Sequence, residues 1–187
     1  MIDEQRLNRM RSAFEERFGP ADALALSRAP GRVNLIGEHT DYNGGYVLPM
    51  AIAFDIAVLG RASGGDRVRL HSVDFGESAS FAADDTTFDR ERQWVNYPTG
   101  VMKLLRETGM DVPAFDAVVA GTVPIGGGLS SSAAFEVTVA KFLLELSGKT
   151  LDGVDLARLA RRAENEFVGV QCGIMDQFVS VFAEKGK

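Results

Sequence analysis

The chain of 187 residues has one cysteine, Cys172. That count rules out a disulfide framework and suits a reducing cytoplasm. Long apolar runs are also missing: none reaches the ~20 residues of a membrane-spanning helix. The N-terminus, Met1-Ile2-Asp3-Glu4-Gln5, lacks the basic-then-apolar order of a secretion signal, so a cytoplasmic protein is expected. Basic residues are outnumbered, 20 against 26 acidic ones, for a net charge of −6. This balance argues against nucleic acid or an anionic membrane as partner. Internal repeats and low-complexity tracts are lacking too. What remains, 45% apolar and 25% charged residues, is ordinary for one large globular domain or two small ones.

The most informative stretch is Pro124-Ile125-Gly126-Gly127-Gly128-Leu129-Ser130-Ser131-Ser132-Ala133-Ala134. An apolar, β-branched segment (114–123) precedes it and an apolar helical pattern (131–147) follows, so it reads strand, glycine loop, helix. Three glycines let the backbone turn tightly and a ligand approach closely. The helix start offers unpaired N–H groups to an anion, and the serines add hydroxyls suited to phosphate or a hydrated Mg²⁺. The same stretch reads equally as a glycine-rich turn with a serine N-cap. Two other phosphate loops are excluded. No lysine follows the glycines as G-x-x-x-x-G-K-[ST] requires, and Leu129 and Ser131 stand where G-x-G-x-x-G needs its last glycine.

Apolar residues Leu7, Met10, Phe14 and Phe18 predict an amphipathic helix over 2–18, stopped by Gly19-Pro20. A short strand is expected from Leu24 to Ala29, and two more, 50–62 and 67–73, as a hairpin about Gly64-Gly65. Residues 75–92 read as a polar surface excursion. Helices are expected from Trp94 to Gly109 and from Asp155 to Val168. Between Pro30 and Pro49 lies a polar island in which Glu38, His39, Thr40 and Asp41 put two carboxylates, an imidazole and a hydroxyl in succession. Such groups suit sugar hydroxyls, which donate and accept, but Asn43-Gly44 also signals a plain turn. Arg32 reads as an ion pair at a strand end or as a fixed cation facing phosphate. Glu164 lies close to the apolar stripe of its helix and needs a cation or a basic residue, because burying it unpaired is costly. Asp176 stands among apolar residues, as a helix cap or a general base does. Cys172 reads as a small buried hydrophobe.

Four motifs together carry a resemblance. Gly31-Arg32-Val33-Asn34-Leu35-Ile36-Gly37-Glu38-His39-Thr40-Asp41-Tyr42-Asn43 closely resembles the galactokinase signature. Gly126 to Ala133 resembles the second motif of the GHMP kinase superfamily. Gly173-Ile174-Met175-Asp176-Gln177 and Gln93-Trp94-Val95-Asn96-Tyr97 are similar to further galactokinase segments, and all four stand in the family's order. The resemblance implies an α+β fold, the GHMP-kinase N-terminal domain (ribosomal protein S5 domain 2-like), over 1–187. It implies ATP-dependent phosphorylation of galactose at the anomeric C1 hydroxyl, giving galactose 1-phosphate and ADP. Glu38, His39, Thr40, Asp41 and Gly173 would then line the sugar. Gly126, Gly127, Gly128, Leu129, Ser130, Ser131 and Ser132 would wrap the phosphates, and Trp94 and Tyr97 would border the adenine. Ser132 and Glu164 would hold Mg²⁺, Asp176 would accept the sugar proton, and Arg32 would offset phosphoryl charge. Galactokinases are much longer, so the resemblance also implies a truncated chain whose C-terminal domain, the expected intramolecular partner, is missing. A non-catalytic galactose/ATP sensor and a kinase for a related sugar such as N-acetylgalactosamine are the alternatives.

Overall fold

The first helix, α1 (Glu4–Phe18), starts where the Asp3 carboxylate accepts the Arg6 amide at 2.8 Å. It ends at Gly19, whose φ of +80° closes the last turn. Its apolar stripe buries Met10 and Phe14 completely. The computed structural model describes residues 2–124 and 126–184; Ile125, within the glycine loop, and the end of the 1–187 span lie outside the described residues.

Five strands follow: β1 (Ala25–Asn34), β2 (Pro49–Ala62), β3 (Arg67–Ser72), β4 (Glu77–Ala82) and β5 (Phe115–Gly121). They form one sheet in the order β1-β2-β5-β3-β4, antiparallel except where β3 runs parallel to β5. Alternation along each strand divides the side chains between two layers. Ala57, Leu59, Val118 and Ala120 face α1, with Met10 and Phe14. Val58, Leu70, Ala117 and Val119 face the opposite layer. That layer is built from α2 (Asn96–Glu107), α3 (Ser131–Leu146), α4 (Gly153–Arg162) and α5 (Met175–Phe182). Its core holds Val101, Leu105, Phe142, Leu143 and Leu156, and burying each such side chain contributes about 1.5–3 kcal/mol. The architecture is mixed α+β, as expected.

Several expectations need correction. Strands β2 and β3 are not a hairpin, because β5 lies between them and pairs with both. The cause is that β5 is covered on both faces, with six of its residues buried, and so takes a central place. The excursion at 75–92 contains the edge strand β4, paired with β3 from Ser72↔Glu77 to Arg67↔Ala82. Strand β1 does not stop at Pro30. It continues to Asn34 through a register shift between Pro30 and Arg32, which spares the sheet the amide that proline lacks. The helix expected from Asp155 starts at Gly153, capped by Asp152, and closes with a π-helical turn over Ala163–Val168.

Candidate active site

Three motifs meet at one arginine. Arg32, at the inner end of β1, donates from Nε to Asp176 Oδ1 at 2.8 Å and from Nη2 to Asp176 Oδ2 at 2.7 Å. Its Nη1 reaches the Gly128 carbonyl at 2.7 Å, while its amide donates to the Leu129 carbonyl at 3.1 Å. The glycine loop therefore lies across β1. At the crossing, a Cβ on Gly31 would stand 2.5 Å from the Leu129 carbonyl oxygen, so only glycine lets the two segments touch. Arg32 is therefore an ion pair, and it also reaches the loop.

Ser130 is the N-cap of α3, yet its side chain makes no capping bond. It adopts φ +59° and sends its hydroxyl to Asp176 Oδ2. The serine-cap reading therefore fails: the hydroxyl is used on the carboxylate instead. A carboxylate offers about four acceptor positions. Arg32 and Ser130 take three of those on Asp176, leaving capacity for one incoming hydroxyl. The other non-glycine residue with positive φ among the described residues is His39, at +59°. Held strain of this kind gathers at functional sites.

Asp176 forms one wall of a cavity of about 220 Å³, lined also by Arg32, Glu38, His39, Asp41, Cys172 and Gly173. The polar island is a turn, with a short 3₁₀ segment over Asp41–Asn43 and Gly44 at φ +72°, and it also faces this cavity. His39 Nδ1 lies 2.6 Å from the Tyr42 hydroxyl. Asp41 Oδ2 accepts the Met175 amide at 3.0 Å at the start of α5. A Cβ on Gly173 would collide with that carboxylate, which explains the glycine. Thr40 is the exception among the expected sugar residues. Its hydroxyl contacts the Gly37 and Tyr46 carbonyls at 2.7 and 2.9 Å, so it braces the turn and is not part of the cavity lining.

On the other side of the loop, a second cavity of about 220 Å³ is lined by Trp94, Tyr97, Phe135, Ile56, Ser131 and Ser132. Trp94 and Tyr97 pack against the core with one side and face this cavity with the other. Trp94 Nε1 donates to Glu77 at 2.9 Å. Burial, and after it the charges of Glu164 and Glu136, push the Tyr97 hydroxyl above its ordinary pKa. A further cavity, about 550 Å³, lies under residues 85–92 and is lined by none of the residues given a site role in the sequence.

Glu164 is 4% exposed, as its helical position predicted, while Glu166 points out and pairs with Arg162 at 2.7 Å. The partners of Glu164 are an amide and a thiol: Gln177 Nε2 at 2.7 Å and Cys172 Sγ at 3.2 Å. The ion pair with an arginine is not formed. Burial, and then Glu164, raise the pKa of the Cys172 thiol, so Cys172 is a polar contact of this carboxylate as well as a small filler. Among the described residues no group of three or more His, Cys, Asp or Glu is arranged to hold a metal. Sequence reasoning missed Glu136 and Gln177, both fully buried. The signal for Glu136 was the single charge in the run Ala133–Ala140.

Residues 12–62 match the galactokinase galactose-binding signature, and residues 96–184 match the GHMP kinases N terminal domain. The chain is 46% identical over 158 residues to the galactokinase of Pyrococcus furiosus, covering 84% of this chain and 44% of that protein. It is 46% identical over 180 residues to that of Chloroflexus aggregans, covering 96% and 46%. The chain belongs to the galactokinase family of GHMP kinases. Among solved structures, Lactococcus lactis galactokinase complexed with galactose superposes with a TM-score of 0.91 at 36% identity, over 96% of this chain and 47% of that one. Methanococcus jannaschii mevalonate kinase shares the GHMP fold, with a TM-score of 0.75 at 20% identity over 87% and 52%. The chain spans about half the length of the curated galactokinases it matches. Among the described residues no helix is long and apolar enough to cross a membrane.

Proposed function

We propose that this chain contributes to ATP-dependent phosphorylation of galactose at its anomeric hydroxyl, giving galactose 1-phosphate and ADP in the cytoplasm. The observation that carries the reading is the junction of Arg32, Asp176 and Ser130 between a polar cavity and an apolar one. Galactose occupies the polar cavity, where Glu38, His39 and Asp41 meet its hydroxyls. Adenine enters the apolar cavity beside Trp94 and Tyr97. The phosphates cross the glycine loop at the N-terminus of α3, where backbone N–H groups and the helix dipole favour negative charge.

Asp176 accepts the proton of the C1 hydroxyl as that oxygen bonds to the γ-phosphorus, and the bond to the bridging oxygen of ADP breaks. The Arg32 fork fixes the carboxylate in one orientation, and a second function of that cation is to offset charge near the transferring group. Positioning and preorganised electrostatics carry most of the catalysis in such transfers. Ser132 and Glu164 fit a magnesium ion as hard oxygen donors, and the buried Glu164 carboxylate, facing no base, suits a cation. Such an ion neutralises phosphate charge when bound.

The test is galactose-dependent ADP release with Mg-ATP, for the chain alone and with the C-terminal half of a matched galactokinase added. Asp176→Ala is expected to abolish turnover and keep ADP binding within about two-fold, because Asp176 acts in the transition state. Turnover retained in that variant refutes the role given to Asp176. Galactose and ADP both binding to the wild-type chain, with turnover in neither arrangement, would leave a sensor as the better reading.

A further inference from the structure

A buried polar cluster borders the polar cavity through Cys172. Gln177 is wholly shielded from solvent. Its Nε2 donates to Glu164 Oε2 at 2.7 Å, lies 3.4 Å from Glu136 Oε2 and faces Cys172 Sγ at 3.8 Å. Its own Oε1 and Glu136 Oε1 have no hydrogen-bond partner. Three acceptors around one nitrogen fix the amide orientation, because a flip would turn a carbonyl toward two carboxylates. Cys172 lines the polar cavity, and Gln177 follows Asp176 directly on α5.

We propose that Gln177 is a positioning residue that aims Glu164 and ties it to Asp176. The inference rests on the cation role proposed for Glu164. Packing alone does not call for this side chain. A methionine would fill the space without leaving a buried carbonyl unpartnered. An arginine would hold Glu164 equally well but would neutralise it and compete with a cation. An amide orients the carboxylate and leaves its charge in place, as outer hydrogen bonds do for metal-binding carboxylates. Gln177 and Asp176 are consecutive, so the first turn of α5 carries both the residue that aims Glu164 and the carboxylate that meets the sugar.

The test is Mn²⁺ binding to the ADP-saturated chain, read from the free-ion electron paramagnetic resonance signal. Metal-free ADP affinity is measured beside it. Gln177→Met is expected to weaken Mn²⁺ by roughly 10–100-fold and to leave metal-free ADP affinity within about two-fold. Glu136→Gln, which alters the same cluster but spares the bond to Glu164, is expected to keep Mn²⁺ affinity within about two-fold. Equal losses in both variants, or an equal loss of metal-free ADP binding, mark a packing effect and overturn the proposal. Wild-type Mn²⁺ affinity in Gln177→Met, beside its loss in Glu164→Gln, overturns the positioning role alone. No Mn²⁺ binding by the wild-type chain, or no loss in Glu164→Gln, overturns the cation role of Glu164 and this inference with it. Should Gln177→Met not fold, the unmodified chain still decides. The side-chain amide resonances of Gln177 are expected to shift when Mg²⁺ is added to the ADP complex, and unchanged resonances overturn the proposal.

Discussion

Replacing Glu136 by glutamine changes one atom in the core and turns a titrating acid into a neutral amide. Glu136 is fully buried in α3. Desolvation, followed by the charge of Glu164, holds its carboxyl well above the ordinary 4.5; the Gln177 amide opposes this, and Asp176 adds to it. The sign of the stability effect follows. Below about pH 4.5 both folded and unfolded chains carry this proton, and the acid adds no pH-dependent penalty. Above it, and until the folded-state value is reached, the unfolded chain has released a proton that the folded chain still holds. Stability therefore falls as pH rises, by about 1.4 kcal/mol per unit. Glu136→Gln removes that slope and keeps a carbonyl to accept from Gln177. In a chain of this size 1 kcal/mol corresponds to about 2–4 °C in Tm, so the Tm advantage of the variant is expected to widen by roughly 3–6 °C per pH unit. Scanning calorimetry of both proteins at about pH 4.5, 5.5 and 6.5 measures it. Parallel curves of Tm against pH would refute the reasoning, since they would mean that Glu136 titrates alike in both states.

Gly31→Ala is expected to cost about 1–3 kcal/mol by urea denaturation and to weaken ADP binding, because its new methyl group meets the Leu129 carbonyl and lifts the glycine loop from β1; unchanged ADP affinity would show that the crossing does not set the loop. Cys172 is expected to react with a disulfide reagent at about pH 8 at least ~10-fold more slowly in the native chain than in denaturant. Burial and the nearby Glu164 carboxylate disfavour its thiolate; equal rates would contradict that surrounding.

The sequence was most legible where periodicity and backbone chemistry agree. Helix α1 and buried α3 follow from apolar spacing, and the inward aim of Glu164 from its place between Ala160 and Phe167. The glycine loop was visible because three glycines separate an apolar strand from an apolar helix. Strand partners were not legible, since alternation along β2 and β3 marks inner faces but does not say which edges meet. Strand β4 was hidden by short polar residues such as Ser78 and Ser80, which satisfy an edge without an apolar signature. The hydroxyl of Thr40 looked identical to a ligand group until its two carbonyl partners were seen. The link from Gln177 to Glu164 spans 13 positions and depends on how α5 returns against the π-helical turn, which no local pattern encodes.

The central place of β5 also dictates the order in which the molecule can be assembled. Its seven residues are made more than fifty positions after the end of β2 and more than forty after β3. Until Phe115–Gly121 has left the ribosome, both earlier strands carry an open edge and an uncovered apolar face. At roughly 5–20 residues per second that exposure lasts several seconds during synthesis. Pairings of such long range are slow to form, so folding of this chain is gated by one late strand.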